Sequence, residues 1–118
     1  MATTTIAVTK KGVSGANTTY RRAIVHANDH VFTPGNLDKC VVILTNTTNA
    51  TKAFTIHAGV GSAASIGNRV VSLTAGDGTA QVAACALDPD RFLQADGTVK
   101  ITVAENTTGF IEVVERGA

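Results

Sequence analysis

The sequence contains few of the residues from which ligand sites and dense cores are usually built. Its 118 residues include no Trp, one Tyr, four Phe, two Pro and two Cys. Because aromatic rings are so scarce, the stacking surface that sugars usually require is not expected. The apolar share of 44% consists mainly of Ala, Val and Ile, and such small side chains bury a modest area per residue. We therefore expect a single domain that gains support from self-association or from a larger surface.

Charge is scarce as well. Ten Lys and Arg residues oppose nine Asp and Glu residues, which gives a charged share of 16% and a formal net charge of +1. A chain this neutral lacks the basic patch that attracts nucleic acid or an anionic membrane. No apolar run approaches the ~20 residues of a membrane-spanning helix, and no basic stretch followed by an apolar one opens the chain. We expect a protein made and kept in a cytoplasm, with neither nucleic acid nor membrane as a partner.

The histidines and cysteines show no pattern typical of a metal site or a nucleophile. His26 and His30 have the four-residue spacing of a metal pair, but no third ligand lies nearby. We therefore expect both to be solvated or interface residues, and His57 to lie on the surface of its strand. Cys40 and Cys85 lack a Cys-x-x-Cys spacing. We predict two buried thiols, and a bridge between neighbouring strands stays open.

The acidic residues do not complete a known site either. Asp88, Asp90 and Asp96 resemble pieces of a calcium loop, but Phe92 stands where an oxygen ligand is required and Val99 where a Glu is required. The chain has no nucleophile elbow and no dinucleotide fingerprint. We predict a non-enzymatic protein without catalytic residues, metal or cofactor.

Short apolar runs separated by Gly, Asn and Thr recur along the chain. We predict strands at residues 40–45, 53–58, 69–74, 99–104 and 110–115, a strand, a turn and a strand in 20–33, a strand or short helix at 79–86, and a mobile loop at 59–67. Long helical patterns of the kind that parallel βαβ units need are absent. The chain is therefore predicted to be all-β, an antiparallel β-sandwich or a jelly-roll-like module, with an extended N-terminal arm.

Two stretches share one layout, an apolar strand, the tripeptide Asn-Thr-Thr and a second apolar strand. They are residues 40–58 and 99–115. A polar linker between two apolar runs is typical of a β-hairpin, so two hairpins that face each other are predicted. The run 40–45 is apolar throughout, which predicts a central strand buried on both faces.

Residues 88–98 are predicted to form a compact corner before the last two strands. Pro89 cannot donate to a strand ladder and Asp96-Gly97 is a strong turn pair. The residues that we assign to this structural corner are Asp90, Arg91, Phe92, Asp96 and Gly97. An ion pair between Asp90 and Arg91 is expected to anchor it.

Residues 1–19 are rich in Thr, Gly and Asn, with one alternating patch near Ile6 and Val8. The glycines break any helix. We interpret this stretch as an extended arm that becomes a strand when it meets a partner edge. Residues 20–118 are then the single β-sandwich domain.

Four stretches resemble small virion proteins of tailed bacteriophages. They are Val-Phe-Thr-Pro-Gly at 31–35, Val-Val-Ile-Leu-Thr-Asn-Thr-Thr at 41–48, Phe-Thr-Ile-His-Ala-Gly at 54–59 and Arg-Phe-Leu-Gln-Ala-Asp-Gly-Thr-Val at 91–99. Such proteins typically carry an Arg-Phe and Asp-Gly corner that leads into an alternating pair of last strands. The resemblance covers roughly residues 31–115 and leaves the arm and residues 20–30 outside it.

This resemblance implies a capsid decoration (cement) protein, located on the capsid surface of the virion. Such a protein is β-rich, often a homotrimer, and binds the major capsid protein in many copies on the outside of the head. The arm is the expected partner-binding element, through Thr3, Thr4, Thr5, Ile6, Ala7, Val8, Thr9, Lys10 and Lys11. Two alternatives stay open, a tail or head–tail connector subunit and a stand-alone carbohydrate-binding or adhesion module.

Overall fold

The computed structural model of the chain describes residues 3–6, 8–11, 21–74 and 81–116. Within these ranges it has ten β-strands, one four-residue α-helix and two single-turn 3-10 helices. The strands are β1 (Thr3–Thr5), β2 (Val8–Lys11), β3 (Arg21–Ala23), β4 (Asp29–Phe32), β5 (Cys40–Asn46), β6 (Thr51–Ile56), β7 (Arg69–Thr74), β8 (Gln81–Ala86), β9 (Val99–Val103) and β10 (Gly109–Arg116). The helix α1 is Pro89–Phe92, and the 3-10 turns are Leu37–Lys39 and Ala64–Ile66. No helix in the described ranges is long and apolar enough to cross a membrane.

The strands form two five-stranded sheets, which confirms the prediction of an all-β sandwich. The first sheet has the order β1-β4-β9-β6-β7, and the second has β2-β10-β5-β8 with β3 also paired to β10. Among the described pairs, β1 runs parallel to β4 and β2 runs parallel to β10, while all the others are antiparallel.

The core lies between the two sheets and follows from alternation along the strands. Phe32, Phe54 and Ile101 point inward from the first sheet, Leu44 and Ile111 point inward from the second, and all five are 0% exposed. Burying a side chain of this size stabilises the fold by about 1.5–3 kcal/mol relative to leaving it exposed. Among the described residues, one cluster of Phe, branched aliphatic and Cys side chains fills the space between the sheets.

The two predicted hairpins are wrong, because the strands of each pair belong to different sheets. β5 is in the second sheet and β6 in the first, while β9 is in the first and β10 in the second. Alternation shows that a strand has one buried face, but it does not show whether the next strand continues the same sheet. The two crossings do face each other, since Thr47 N donates to Thr108 O over 3.0 Å and the two hydroxyls lie 2.9 Å apart.

The prediction that residues 40–45 are buried on both faces is also wrong. Cys40, Val42 and Leu44 point into the core, but Val41 is 39% exposed and Ile43 is half-buried. β5 is an interior strand of its sheet, between β10 and β8, and on its outer side Val41 is exposed, Ile43 is half-buried and Thr45 is 7% exposed. The apolar run therefore contributes side chains to both faces of the strand, one that packs in the core and one that points outward.

The remaining predicted strands match the structure within a few residues. The stretch 20–33 holds β3, a turn at residues 26–28 and β4, and residues 81–86 are a strand rather than a helix. The loop 34–39 contains a single 3-10 turn at Leu37–Lys39. Residues 75–78, which the sequence Ala-Gly-Asp-Gly predicts to be a tight turn, lie outside the described residues.

Candidate functional site

A groove of about 420 Å³ lies on the outer side of the first sheet. It is lined by Thr3, Asp29, Val31, Gln94, Ala95, Asp96, Thr98 and Lys100. Lys100 Nζ lies 3.4 Å from Asp29 Oδ2, and Gln94 Nε2 donates to the carbonyl of Ala58 over 3.1 Å. Asp96 accepts from the hydroxyl and the amide of Thr98, and these hydrogen bonds lower the pKa of its carboxyl. Because these polar groups bind one another, the groove gives no reason to place a ligand in it.

The two spaced histidines do not form a metal site. His26 is exposed, whereas His30 is 0% exposed and its Nε2 accepts a hydrogen bond from the amide of Val25 over 3.1 Å. No group of three or more His, Cys, Asp or Glu residues in the described ranges is arranged to hold a metal ion. The expectation of a solvated or interface residue is wrong for His30, which shares the inward face of β4 with Phe32. The alternation His30-x-Phe32 was the signal that pointed to this burial.

The remaining buried groups with reactive atoms are used structurally. Glu115 is 6% exposed, and its Oε1 accepts from the amides of Gly35 and Asn36 over 2.7 and 3.0 Å, which ties their loop to the end of β10. Cys40 and Cys85 are buried thiols with no disulfide between them. His57 is half-buried and shares a hydrogen bond of 2.9 Å with the hydroxyl of Thr102.

The corner at 88–98 begins as a capped helical turn. Asp88 accepts from the amide of Asp90 over 2.9 Å, and Pro89 stands at the start of α1, where its missing N–H costs nothing. Arg91 donates to the carbonyls of Gly67 and Asn68 and lies 4.7 Å from the ring of Phe92. Its predicted ion pair with Asp90 does not form, because consecutive residues of a helical turn do not face each other.

The loop at 59–67, predicted to be mobile, is hydrogen-bonded to this corner. Gly59 N donates to Arg91 O over 2.7 Å, and Ala63 N donates to Asp90 O over 3.0 Å. A Cβ on Gly59 would lie 1.8 Å from Leu93 O, so only glycine permits this approach. Phe92 is buried, and the turn at Asp96 is completed by Gly97 with φ +82. The corner and the loop thus form one rigid support for β6 and β9.

The described residues of the predicted arm lie along the edges of the chain's own sheets. Thr3–Thr5 pair with β4, and Val8–Lys11 pair with the second half of β10. Between them Ile6 is 2% exposed, and its amide donates to Val31 O over 2.8 Å. Ala7 and residues 12–19 lie outside the described residues. Residues 3–6 therefore share one core with the body of the sandwich.

The outer face of the second sheet is the surface that departs most from an ordinary solvated one. The outward positions of β10, β5 and β8 align in three rows, which are Phe110, Thr45 and Val82, then Glu112, Ile43 and Ala84, then Val114, Val41 and Ala86. Glu112 is the single charged residue among these nine, and its register partner on β3 is Arg21. Val82 is 57% exposed, and Ala84 and Ala86 are exposed as well. We call these nine residues the apolar face.

The outer side of the first sheet has a different composition. It carries the Asp29–Lys100 ion pair and the hydrogen bond between His57 and Thr102. Among the large apolar side chains of its strands, Val70 is strongly exposed, at 59%. A solvated sheet face is normally polar, so the first sheet shows the usual pattern and the second does not. Charged side chains are depleted at the centres of protein interfaces, as they are on the apolar face.

The sequence predicted one part of the apolar face, the strand β5, but not the parts contributed by β8 and β10. The continuous run at 40–45 signalled two apolar sides, but Val82, Phe110 and Val114 join it only through strand pairing. The predicted site residues lie elsewhere, in the arm and in the corner. Comparison of the chain with family models, curated proteins and solved structures finds no match.

Proposed function

We propose that this chain is a non-enzymatic structural protein that works by assembling in many copies, and that it is a capsid decoration protein of a bacteriophage virion. The single observation that carries the structural role is the apolar face, with one charged residue in nine. The resemblance of residues 31–59 and 91–99 to small virion proteins supports the choice of a capsid. The partners in this proposal are further copies of the chain, as a homotrimer, and the major capsid protein.

The size of the apolar face indicates how it acts. Three strands spaced ~4.8 Å apart and five residues rising ~3.4 Å each give it on the order of 250 Å² of sheet. A stable two-body interface usually buries about 800 Å² on each partner. One such contact is therefore weak by itself, and a protein that depends on it needs several contacts at once. Repetition round a closed capsid lattice supplies them, because each bound contact raises the effective concentration of the next.

The geometry also suits a support rather than a catalyst. The groove on the first sheet has partnered polar groups, and backbone hydrogen bonds join the corner to the loop at 59–67. A cement protein requires a stable body and surfaces that bind other subunits, and the core between the two sheets and the apolar face are the features that support this choice. The head surface of the virion is therefore the location that we propose.

The test compares two valines of equal exposure on opposite sheets. Val82→Asp places a charge on the apolar face, and Val70→Asp places one on the first sheet, where the native side chains are 57% and 59% exposed. We expect Val82→Asp to weaken self-association and particle binding at least about tenfold, the effect of ~1.4 kcal/mol, and Val70→Asp to leave both nearly unchanged. Light scattering gives the mass of the assembly, and the number of copies per particle gives capsid binding.

Two results would contradict the proposal. One is a wild-type protein that stays monomeric and does not bind particles at any concentration tested. The other is an equal effect of Val82→Asp and Val70→Asp, which would show that charge alone and not the apolar face matters. Labelling of intact particles separates the head location from a tail or connector location.

The carbohydrate-binding alternative has less support. No aromatic ring of the described residues lines the groove on the first sheet, and sugars commonly stack on such rings. A glycan array probed with the monomer provides the comparison, and specific hits abolished by Lys100→Ala would favour this alternative.

A further inference from the structure

The N-terminal strands join both sheets from outside. β1 extends the first sheet beside β4, β2 extends the second beside β10, and Ile6 fills a place in the core between them. We call residues 3–6 and 8–11 the N-terminal segment. We call the surface that binds this segment its slot. The slot consists of the edge of β4, the edge of β10 and the part of the core that contacts Ile6.

The slot is built entirely by residues distant in sequence. Its hydrogen bonds include Ile6 N to Val31 O over 2.8 Å and Asn28 Nδ2 to Thr4 Oγ1 over 3.0 Å. Without the segment, the first sheet still has β4-β9-β6-β7 and the second still has β10-β5-β8 with β3. The segment also supplies both parallel pairings among the described strands. The segment therefore adds an edge strand to each sheet and contributes no central strand.

The chain between the segment and β3 is long enough to reach a neighbouring molecule. Residues 12–20 read Gly-Val-Ser-Gly-Ala-Asn-Thr-Thr-Tyr, with two glycines. Nine residues span at most about 30 Å when fully extended. The body measures 39 × 39 × 23 Å, so this reach exceeds the shortest dimension of the body.

We propose that the N-terminal segment is exchanged between copies, so that the segment of one chain fills the slot of a second copy. This rests on the proposed function, in which copies are held side by side. The slot of a neighbour is chemically identical, so the same backbone hydrogen bonds and the burial of Ile6 are recovered, and exchange costs little. Exchange adds no net contact, since the same bonds form in either arrangement. Copies joined by two strand ladders and one buried Ile nevertheless separate only after the segments leave their slots, which slows dissociation. The partner of this surface is thus a second copy of this chain.

The exchange is tested with cysteines at paired positions on separate full-length chains. Thr5 and Val31 are partners in the register of β1 and β4, and neighbouring strands at ~4.8 Å place their Cα atoms within disulfide range. One tagged copy carries Thr5→Cys and the other Val31→Cys, and the two are unfolded, refolded together and oxidised. Peptide mapping then identifies the bond between residues 5 and 31, distinct from any that involves the native Cys40 or Cys85.

The matched control replaces Val31→Cys by Val70→Cys, on the far edge strand of the same sheet. We expect at least tenfold more linkage between residues 5 and 31 of different copies than between residues 5 and 70. Equal yields, with the double variant Thr5→Cys/Val31→Cys closing only within single chains, would overturn the exchange. Donor and acceptor dyes on the same cysteines report without a disulfide, and equal energy transfer for residues 31 and 70 would overturn it likewise. The valine comparison at residues 70 and 82 tests the apolar face separately, so failure of one proposal is distinguishable from failure of the other.

Discussion

His30 is a neutral imidazole held inside a sandwich. Its Nε2 accepts the amide proton of Val25, and its Nδ1 is buried without a hydrogen-bond partner. Burial lowers the pKa of His30 and Arg22 lowers it further, while the backbone of Ile101 and the charge of Asp29 raise it. Removal from water is the largest of these effects, so the neutral form is favoured in the folded protein.

This burial makes stability depend on pH. Because the pKa of His30 in the folded state lies below 6.5, its usual value, the unfolded chain binds more protons once the pH falls below that value. The free energy of unfolding is therefore expected to be highest above pH 6.5 and to decrease as the pH falls. Urea unfolding at pH 7.5 and at pH 5 measures the difference.

The control for this prediction is the second histidine with a perturbed pKa. Burial and Lys100 lower the pKa of His57, so it contributes in the same direction. We expect His30→Gln to remove more of the pH dependence than His57→Gln, since His30 is fully buried and His57 is half-buried. An unchanged pH dependence in His30→Gln would assign the effect to other groups. Above pH 5 the carboxyl of Asp96, whose pKa is lowered by Thr98, stays ionised and does not interfere.

At the scale of elements, two connections cross from one sheet to the other, at residues 47–50 and 104–108. They explain why the two predicted hairpins were wrong. Asn46 ends β5 with 0% exposure, and its side chain donates to Leu73 O over 2.8 Å and to Ala50 O over 3.0 Å while accepting from Thr48 N over 2.9 Å. These bonds lead the chain out of the second sheet towards β7 of the first. At the equivalent point of the other crossing, Asn106 adopts φ +64, a conformation that Asn tolerates.

The buried amide of Asn46 gives a prediction for the first crossing. Asn46→Ala leaves two carbonyls and one amide without this partner, and unsatisfied buried groups cost about 1–3 kcal/mol each. We expect the free energy of unfolding to fall by at least about 2 kcal/mol, within that range. Thr47→Ala, which removes an exposed hydroxyl that bonds Thr108, is the neighbouring control, and we expect it to cost less than about 1 kcal/mol. Equal effects in chemical unfolding would mean that the crossing does not depend on Asn46.

Among the described residues, the outer side of the first sheet is polar and the outer side of β10, β5 and β8 is mostly apolar, and this asymmetry has a thermodynamic consequence. If native copies associate through the apolar face, association stabilises the folded state by mass action. The unfolding temperature of the wild-type protein is then expected to rise with protein concentration. Calorimetry across a hundredfold concentration range measures the rise.

The same pair of valine variants provides the control at this scale. Val82→Asp is expected to lose the concentration dependence, and Val70→Asp is expected to keep it. A wild-type unfolding temperature that does not vary with concentration would argue against association of the free protein.

Much of the fold could be predicted from the sequence, because the alternation of apolar and polar residues along a strand is a local pattern. The inward positions of β6 and β9, such as Phe54 and Ile101, follow from period two, which assigns each side chain to one face. The helical turn at 89–92 follows from Asp88 and Pro89, whose effects reach only a few residues. The all-β class, most strand positions and the corner were therefore determined by the sequence itself.

Tertiary structure alone decided how the strands combine. Alternation does not state which strand is the neighbour, so it could not predict the division of β5 and β6 between two sheets. In the structure the side chain of Asn46, at the end of β5, donates to Leu73 O of β7. The burial of His30 and the docking of Ile6 likewise depend on residues far along the chain. The apolar face exists only because pairing aligns Val41, Val82 and Val114 on three strands. Surfaces that join molecules are built from such distant residues, and for that reason the candidate site emerged from the fold and not from a motif.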